Sequence, residues 1–469
     1  MPRVLLLSCL WPAAAVAHTP NFVPAGPGDW CDVIHTIVPG DFVLLTPGVY
    51  TDSCDMTTGP QDLPGEFTTL MPYDSDDPPI FRPDGATPYV MRITGEYATV
   101  FGARFEDIPA GVTAVLLRDA QDMTVHASTF VNVDGRAVGS EGRVDRLSVW
   151  DVAIDGGSGI GIEFGCPTGC EVNDFEVSFL FTDGLASPLV AHPGAEGFID
   201  RALIVRAETG VVLAGGGDSL MTESFVSSTG TALEITGGPQ IVRSSILAST
   251  DGVAIQASGG QQRLLGNTAW SGVGTGLVRA DWTAGSELIN NALGGDLPAA
   301  LANTTDEANV ACTDECWIDP AGWDFYPPPD SPIRAEDGVD DFDVLADWCG
   351  FPRDLPPTIG AFEAIGDDGY GPVEADFRFN QSCGEVDGGT DTGAPTGSDT
   401  GTAGPGYDGT DTGTGGTGQG PNTDADAGSD TGGVGDSKEG TGCGCATSGS
   451  GGLAPAALLP LLLIRRRHQ

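Results

Sequence analysis

From about residue 98 the sequence returns to itself every 21 to 27 residues, with turns beginning near Ala98, Gln121, Arg143, Cys170, Ala195, Asp218, Pro239, Gln261 and Ser286. Each repeat holds a short alternating run, a Gly/Asp/Ser turn and a second alternating run. Thr209-Gly210-Val211-Val212-Leu213-Ala214-Gly215 has a counterpart in Asp251-Gly252-Val253-Ala254-Ile255-Gln256-Ala257. Ile241-Val242-Arg243-Ser244-Ser245-Ile246-Leu247 has one in Leu264-Leu265-Gly266-Asn267-Thr268-Ala269-Trp270. Alternation with period 2 predicts strands, and a repeat of this length predicts a solenoid. No repeat carries an apolar period of helix length, which disfavours leucine-rich and helical repeats. One turn buries its apolar face only against the turns above and below, so the array needs many of them. Glycine then collects at the corners, where the backbone bends.

Charge narrows the function classes. The chain of 469 residues carries 66 acidic and 20 basic side chains, a formal net charge of -46. Most of this, -40, falls between residues 18 and 383, and residues 384–441 add -10. Such a surface repels phosphate backbones, so nucleic-acid binding is disfavoured. Nineteen of the basic residues are Arg and the only lysine is Lys438, which argues against a lysine base, a Schiff base or a Walker-type loop.

The two ends read as targeting and anchoring segments. Arg3, the apolar run Val4 to Val16 and the small-residue site Ala15-Val16-Ala17 predict a signal peptide over 1–17. Leu6-Leu7-Ser8-Cys9 offers a lipoprotein box as the alternative. Residues 384–441 repeat Gly-Thr/Ser-Asp-Thr-Gly from Gly389, Gly397, Gly409 and Gly428. With almost no apolar side chains, this segment is expected to be a disordered, self-repelling tether. Residues 442–469 bring Gly442-Cys443-Gly444-Cys445, an apolar run Leu453 to Ile464, then Arg465, Arg466 and Arg467. That order resembles the MYXO-CTERM sorting tail of myxobacterial surface proteins, which implies processing at the cysteine and display at the cell surface. A plain membrane anchor is the alternative, and the tail is the only expected membrane contact.

The repeats resemble the right-handed parallel β-helix of the pectin-lyase-like superfamily, and the caps add to the likeness. Trp30-Cys31-Asp32-Val33-Ile34-His35, Pro39-Gly40-Asp41 and Val43-Leu44-Leu45-Thr46-Pro47-Gly48-Val49-Tyr50 match the family's capping helix, first strand and turn. Asp324-Phe325-Tyr326, Asp330-Ser331-Pro332, Asp341-Phe342-Asp343 and Ile359-Gly360-Ala361-Phe362-Glu363 resemble the closing segment of bacterial members, with Gly350-Phe351-Pro352-Arg353 slightly displaced. The implied fold is all-β. A cap and first turns occupy 18–97, helix repeats 98–295 and a C-terminal cap segment 296–383. The superfamily holds lyases, hydrolases, esterases and non-enzymatic adhesins, so the fold implies no single activity. The body lacks the lysine of Lys/Arg-dependent lyases, and no Gly-His-Gly or Arg-x-Pro-x-x-Arg occurs. Asp340-Asp341 lies beyond the repeats.

Eight cysteines fall in the body, and an even number in an exported chain predicts disulfides. Neighbour pairing is the simplest arrangement: Cys31 with Cys54, Cys166 with Cys170, Cys312 with Cys316 and Cys349 with Cys383. A zinc half-site at Cys312-x-x-x-Cys316 is the competing reading. No cofactor is called for, although the net charge is compatible with weak calcium binding.

Aligning the turns by their Gly-apolar strands places Arg118, Glu141, Glu163 and His192 in one outward column. Rungs about 4.8 Å apart would set two carboxylates at roughly 5 Å or 9–10 Å, the spacings of retaining and inverting glycosidases. His192 or a carboxylate would shuttle a proton and Arg118 would hold an acidic sugar. An outward column is polar in any case, so these four are equally a solvated face. Asn267, Asn290 and Asn291 read as an internal ladder. Trp150, Trp270, Trp282, Trp317 and Trp323 read either as sugar platforms or as packing. The favoured function is an exported, surface-tethered β-helix that binds extracellular glycans or serves the envelope without catalysis. The alternative is a divergent polysaccharide lyase or glycoside hydrolase.

Overall fold

The computed structural model describes residues 19–59, 67–215, 217–334, 338–339, 347–349, 353 and 356–363. Segments 1–17, 384–441 and 442–469 lie outside the described residues, as do Asp340, Asp341, Cys383, Cys443, Cys445, Arg465, Arg466 and Arg467.

The chain coils into a parallel β-solenoid of about 11 turns, the fold that the repeat predicts. Each turn contributes one strand to each of three ladders. Sheet A begins with Phe22–Ala25, Phe42–Leu45 and Thr68–Pro72 and runs through 98–101, 123–126, 147–150, 175–178 and Glu287–Ile289 to Thr305–Glu307. Sheet B runs from Val49–Tyr50 and Ile80–Phe81 through Arg104–Ile108 and Thr129–Val133 to Val310–Cys312. Sheet C holds Cys54–Thr57, 91–94, 115–118, 136–141, 160–164 and 189–191, ending at Leu277–Ala280.

Stacking like residues on successive rungs builds the interior. Tyr50, Phe81, Phe105 and Phe130 form an aromatic pile with centroids 4.9, 4.9 and 4.8 Å apart, the spacing of the rungs themselves. The same column continues through Ile154, Thr182, Ile204, Val226, Leu247, Ala269 and Leu293. A short helix, α1 (Trp30–Ile34), closes the N-terminal end by laying Trp30 on Tyr50 and Phe81 at 5.9 and 5.2 Å. Toward the other end the interior turns polar. The Asn267 amide and side chain donate to Asn291 Oδ1, and Asn291 in turn donates to Asn309 Oδ1. Asn309 therefore extends the expected ladder, whereas Asn290 binds the Val339 backbone instead.

After Cys312 the chain folds back along the side of the solenoid. Trp317, Phe325, Tyr326, Ile333, Ile359 and Phe362 join the outward side chains of sheet B, among them Leu203, Phe225, Ile246 and Trp270, in a second buried cluster. The Ala361 amide donates to Thr268 Oγ1 at 3.0 Å, which fixes the return. The chain thus covers this stretch of sheet B itself, and the outer faces of sheets A and C carry the candidate sites.

Cysteine geometry divides the expected pairs. Cys166–Cys170 and Cys312–Cys316 are disulfides, so the latter pair is no zinc half-site here. Cys349 is also disulfide-bonded, and its expected partner Cys383 is outside the described residues. Cys31 and Cys54 are thiols rather than the expected bridge. Cys31 Sγ donates to the Ser53 carbonyl at 3.4 Å and Cys54 Sγ to that of Asp55 at 3.9 Å, and burial pushes both thiols up, Cys54 strongly. The thiolate that would start disulfide chemistry is therefore scarce at this position.

Candidate functional site

The expected column splits in two. Glu141 stands in register with Arg118 on the next rung, as the alignment places it. Among the described residues, neither makes an ion pair. Glu163 belongs elsewhere. The Ile160 amide donates to the Gly135 carbonyl, a register that sets Glu163 beside Gly139, and Glu163 then pairs with Val190. Gly165 occupies the place assigned to Glu163, with φ +79° and its missing Cβ only 3.4 Å from His192 Cβ. Glu163 therefore does not follow Glu141 in the expected column. The correction has a physical cause: a slip of two residues preserves which way a side chain points but moves it to the neighbouring column.

That slip assembles a different group. The His192 ring crosses the space above Gly165 and places Nε2 2.8 Å from Glu163 Oε1. From the other side, Arg136 Nη1 donates to Glu163 Oε2 at 2.5 Å. Glu163 is 9% exposed, so both oxygens of a nearly buried carboxylate are engaged by charged or polar partners. The contact fixes the imidazole plane and engages Nε2, so Nδ1 is the ring nitrogen that Glu163 does not use.

Beside this clamp lies a cleft of about 400 Å³ lined by Gly111, Val112, Asp134, Gly135, Arg136, Ser158, Gly159, Ile160 and Glu163. Its floor is backbone. A Cβ on Gly135 would stand 2.1 Å from the Val112 carbonyl oxygen, and one on Gly159 would stand 2.1 Å from that of Gly135. Only glycine permits this close stacking of rungs. At the rim, the Ser158 amide and hydroxyl donate to Asp134 Oδ1 at 3.0 and 2.8 Å. These bonds hold the Asp134 carboxyl below its usual range. The cleft therefore offers a guanidinium, a carboxylate, a hydroxyl and bare peptide groups along one wall, a set suited to hydroxyl-rich ligands. Among the described residues, no three His, Cys, Asp or Glu side chains converge as a metal site.

Arg136 escapes the sequence reading because it is the first residue of its strand, at the edge of the alternating run that the alignment uses. The signal was present in its neighbours: Gly111, Gly135 and Gly159 recur at equal spacing, one per turn.

No protein-family model and no curated protein matches the chain. Solved structures do. A pectate lyase, Pel9A, aligns with TM-score 0.46 and 12% identity over 74% of this chain and 97% of its own. An alginate lyase from a Paenibacillus species gives 0.42 and 13% over 62% and 99%. The mannuronan C-5 epimerase A-module of Azotobacter vinelandii gives 0.41 and 11% over 60% and 93%. At such identities the likeness concerns the course of the backbone only.

Proposed function

We propose that the protein is an exported, surface-tethered β-helix that binds extracellular glycans on the outer face of sheet C without cleaving them. The observation that carries this reading is the glycine-floored cleft, with Asp134, Arg136, Ser158 and Glu163 along it. Calcium would enter as a bridge between this acidic surface and an acidic glycan. The test is to titrate the full chain with neutral and acidic polysaccharides, with and without calcium. Binding without new reducing ends or unsaturated uronate absorbance is expected, and Arg136→Ala should weaken it about tenfold, the worth of one charge-assisted hydrogen bond. No binding to any member of the panel would sink the reading.

A second reading, a divergent lyase or hydrolase, is favoured by one contact, the His192–Glu163 hydrogen bond. A base held by a carboxylate is the usual arrangement of a proton-transfer site. Cleavage products that disappear in His192→Ala would select it.

A further inference from the structure

Four of the five tryptophans that read as sugar platforms or packing are packing. Trp270, Trp282 and Trp317 are buried, and Trp323 packs on Phe225 at 5.6 Å. Trp150, 39% exposed, is the exception. It ends a strip on the outer face of sheet A, where six successive rungs each turn two side chains outward. From Phe22 to Ser148 one outward column reads Phe, Phe, Thr, Thr, Thr, Ser. From Pro24 to Trp150 the other reads Pro, Leu, Met, Phe, His, Trp. Between the columns Val43, Leu70, Val100, Val125 and Val149 are buried, whereas every outward position is at least partly open to solvent.

None of these outward positions holds Asp, Glu, Arg or Lys, although residues 18–383 carry a net charge of -40. Burial pushes the His126 imidazole down against the pull of Asp151, so this ring is neutral at pH 7 as well. Charge returns farther along the same face with Glu176, Asp200, Arg243 and Arg263. It also returns at the corners beside the strip, with Asp122 and Arg146 on one side and Asp151 on the other. An uncharged, largely apolar strip with a charged rim marks an interaction surface. Its rings are fixed in advance. Phe22 stacks on Phe42 at 4.9 Å, His126 lies flat against the Trp150 indole at 3.4 Å, and Phe101 meets His126 edge-on at 5.0 Å. Binding therefore costs little side-chain entropy. Its hydroxyls are unspent: among the described residues, those of Thr99, Thr124 and Ser148, stacked on three successive rungs, make no hydrogen bond.

Charge selects the occupant. A polyuronate is repelled by a body of net charge -40, and a second copy of the chain brings the same charge against it. A polycation is drawn to the carboxylates outside the strip. We infer that the strip is a docking surface for a neutral polysaccharide, one without carboxylate, sulfate or free amine, lying along the solenoid axis. Its C–H groups would cover the aromatic column and its hydroxyls would meet the Thr/Ser column. Five rung spacings give a track of about 24 Å, long enough for several sugar units in line. The strip shares no residue with the sheet C cleft, so each reading can fail alone.

The test is calorimetric titration of the full chain with neutral β-glucan and mannan oligomers and with oligogalacturonate of equal length. A neutral oligomer should bind best, and without calcium. Thr124→Asp sets a carboxylate in the middle of the strip and should weaken that binding by about tenfold or more. Trp150→Ala should weaken it less, while Thr124→Ser and Arg136→Ala should leave it unchanged. Melting temperatures of the variants keep folding defects apart from binding, and Trp150→Ala carries the test alone if Thr124→Asp melts early. Preference for oligogalacturonate would overturn the assignment, as would no binding of any neutral oligomer. Neutral binding that survives both Thr124→Asp and Trp150→Ala would overturn the strip. Binding lost only in Arg136→Ala would move the glycan to the cleft, which overturns this inference and leaves the reading of sheet C standing. A dimer in light scattering that Thr124→Asp dissolves would make the strip an interface between copies and overturn it too.

Discussion

The outer faces of sheets C and A treat charge in opposite ways. On sheet C the chain completes its own contacts: Glu163 meets Arg136 with one oxygen and His192 with the other. On sheet A the balance is poorer: Arg201 reaches Asp200 Oδ2 only at 3.8 Å, while burial, with Glu223 and Glu176 nearby, raises the Asp200 carboxyl. A buried polar group with partners belongs to the architecture, whereas one short of partners holds free energy that a ligand can recover. If that distinction is right, removing charge should weaken the protein on sheet C and strengthen it on sheet A.

Glu163→Ala should show the largest effect. It leaves Arg136 and His192, both partly buried, facing each other without the carboxylate between them. A loss of about 2–4 kcal/mol is expected, below the figure for a fully buried pair because Arg136 retains solvent. Urea unfolding of the variant measures it, and Glu163→Gln should lose less by keeping one hydrogen bond. A shift near zero would reduce the clamp to a surface ion pair and erase the contrast between the faces.

Asp200→Asn should act in the opposite direction. The folded-state pKa of Asp200 is raised from 3.8 to about 6, so the folded protein holds this proton more tightly than the unfolded chain does. The stability it contributes is fully present below the unfolded value and is lost as pH rises through about 6. At pH 7 the ionised group is a liability, and Asn should stabilise by about 1–2 kcal/mol, allowing for partial exposure. Near pH 4 the gain should vanish, because Asp200 is then protonated in the folded state. Unfolding curves of the two proteins across this range provide the check. A gain that persists at pH 4 would mean that packing, not charge, separates them.

The solenoid is legible in the sequence because stacking forces every turn to repeat the same alternation of inward and outward residues. Parity survives for Arg118 and Glu141, which the structure keeps in register, but not for the Ile241 comparison, where Ile241 stacks on Arg263 instead of Leu264. Elsewhere register is lost. Turns of 21 to 27 residues hide where the extra residues enter, so Glu163 lands one column away. The comparison of Val211 with Val253 shows the same slip, since the structure stacks Val211 on Leu233 and Leu233 on Ile255. The return of the C-terminal segment along sheet B is hidden for another reason. Apolar residues such as Phe325 and Ile359 read alike whether they cover an end or a side. Long-range placement of that kind is a matter of packing surfaces, which no local pattern encodes.

Arg118 provides the smallest and most discriminating test of the contrast. It is exposed, stands in register with Glu141, and makes no ion pair among the described residues. By the logic applied to Glu163, a charge without a structural partner contributes little to the fold, so Arg118→Ala should change stability by less than about 0.5 kcal/mol. Its neighbourhood is nevertheless acidic, with Asp119 accepting the Arg143 amide at 3.2 Å on the adjoining corner. Removing one of the few cations there should steepen the salt dependence of stability slightly, since unscreened repulsion grows as ionic strength falls. Urea midpoints at low and moderate salt measure both quantities. A loss as large as that of Glu163→Ala would show that Arg118 and Glu141 form a clamp of their own, and sheet C would then carry two such sites instead of one.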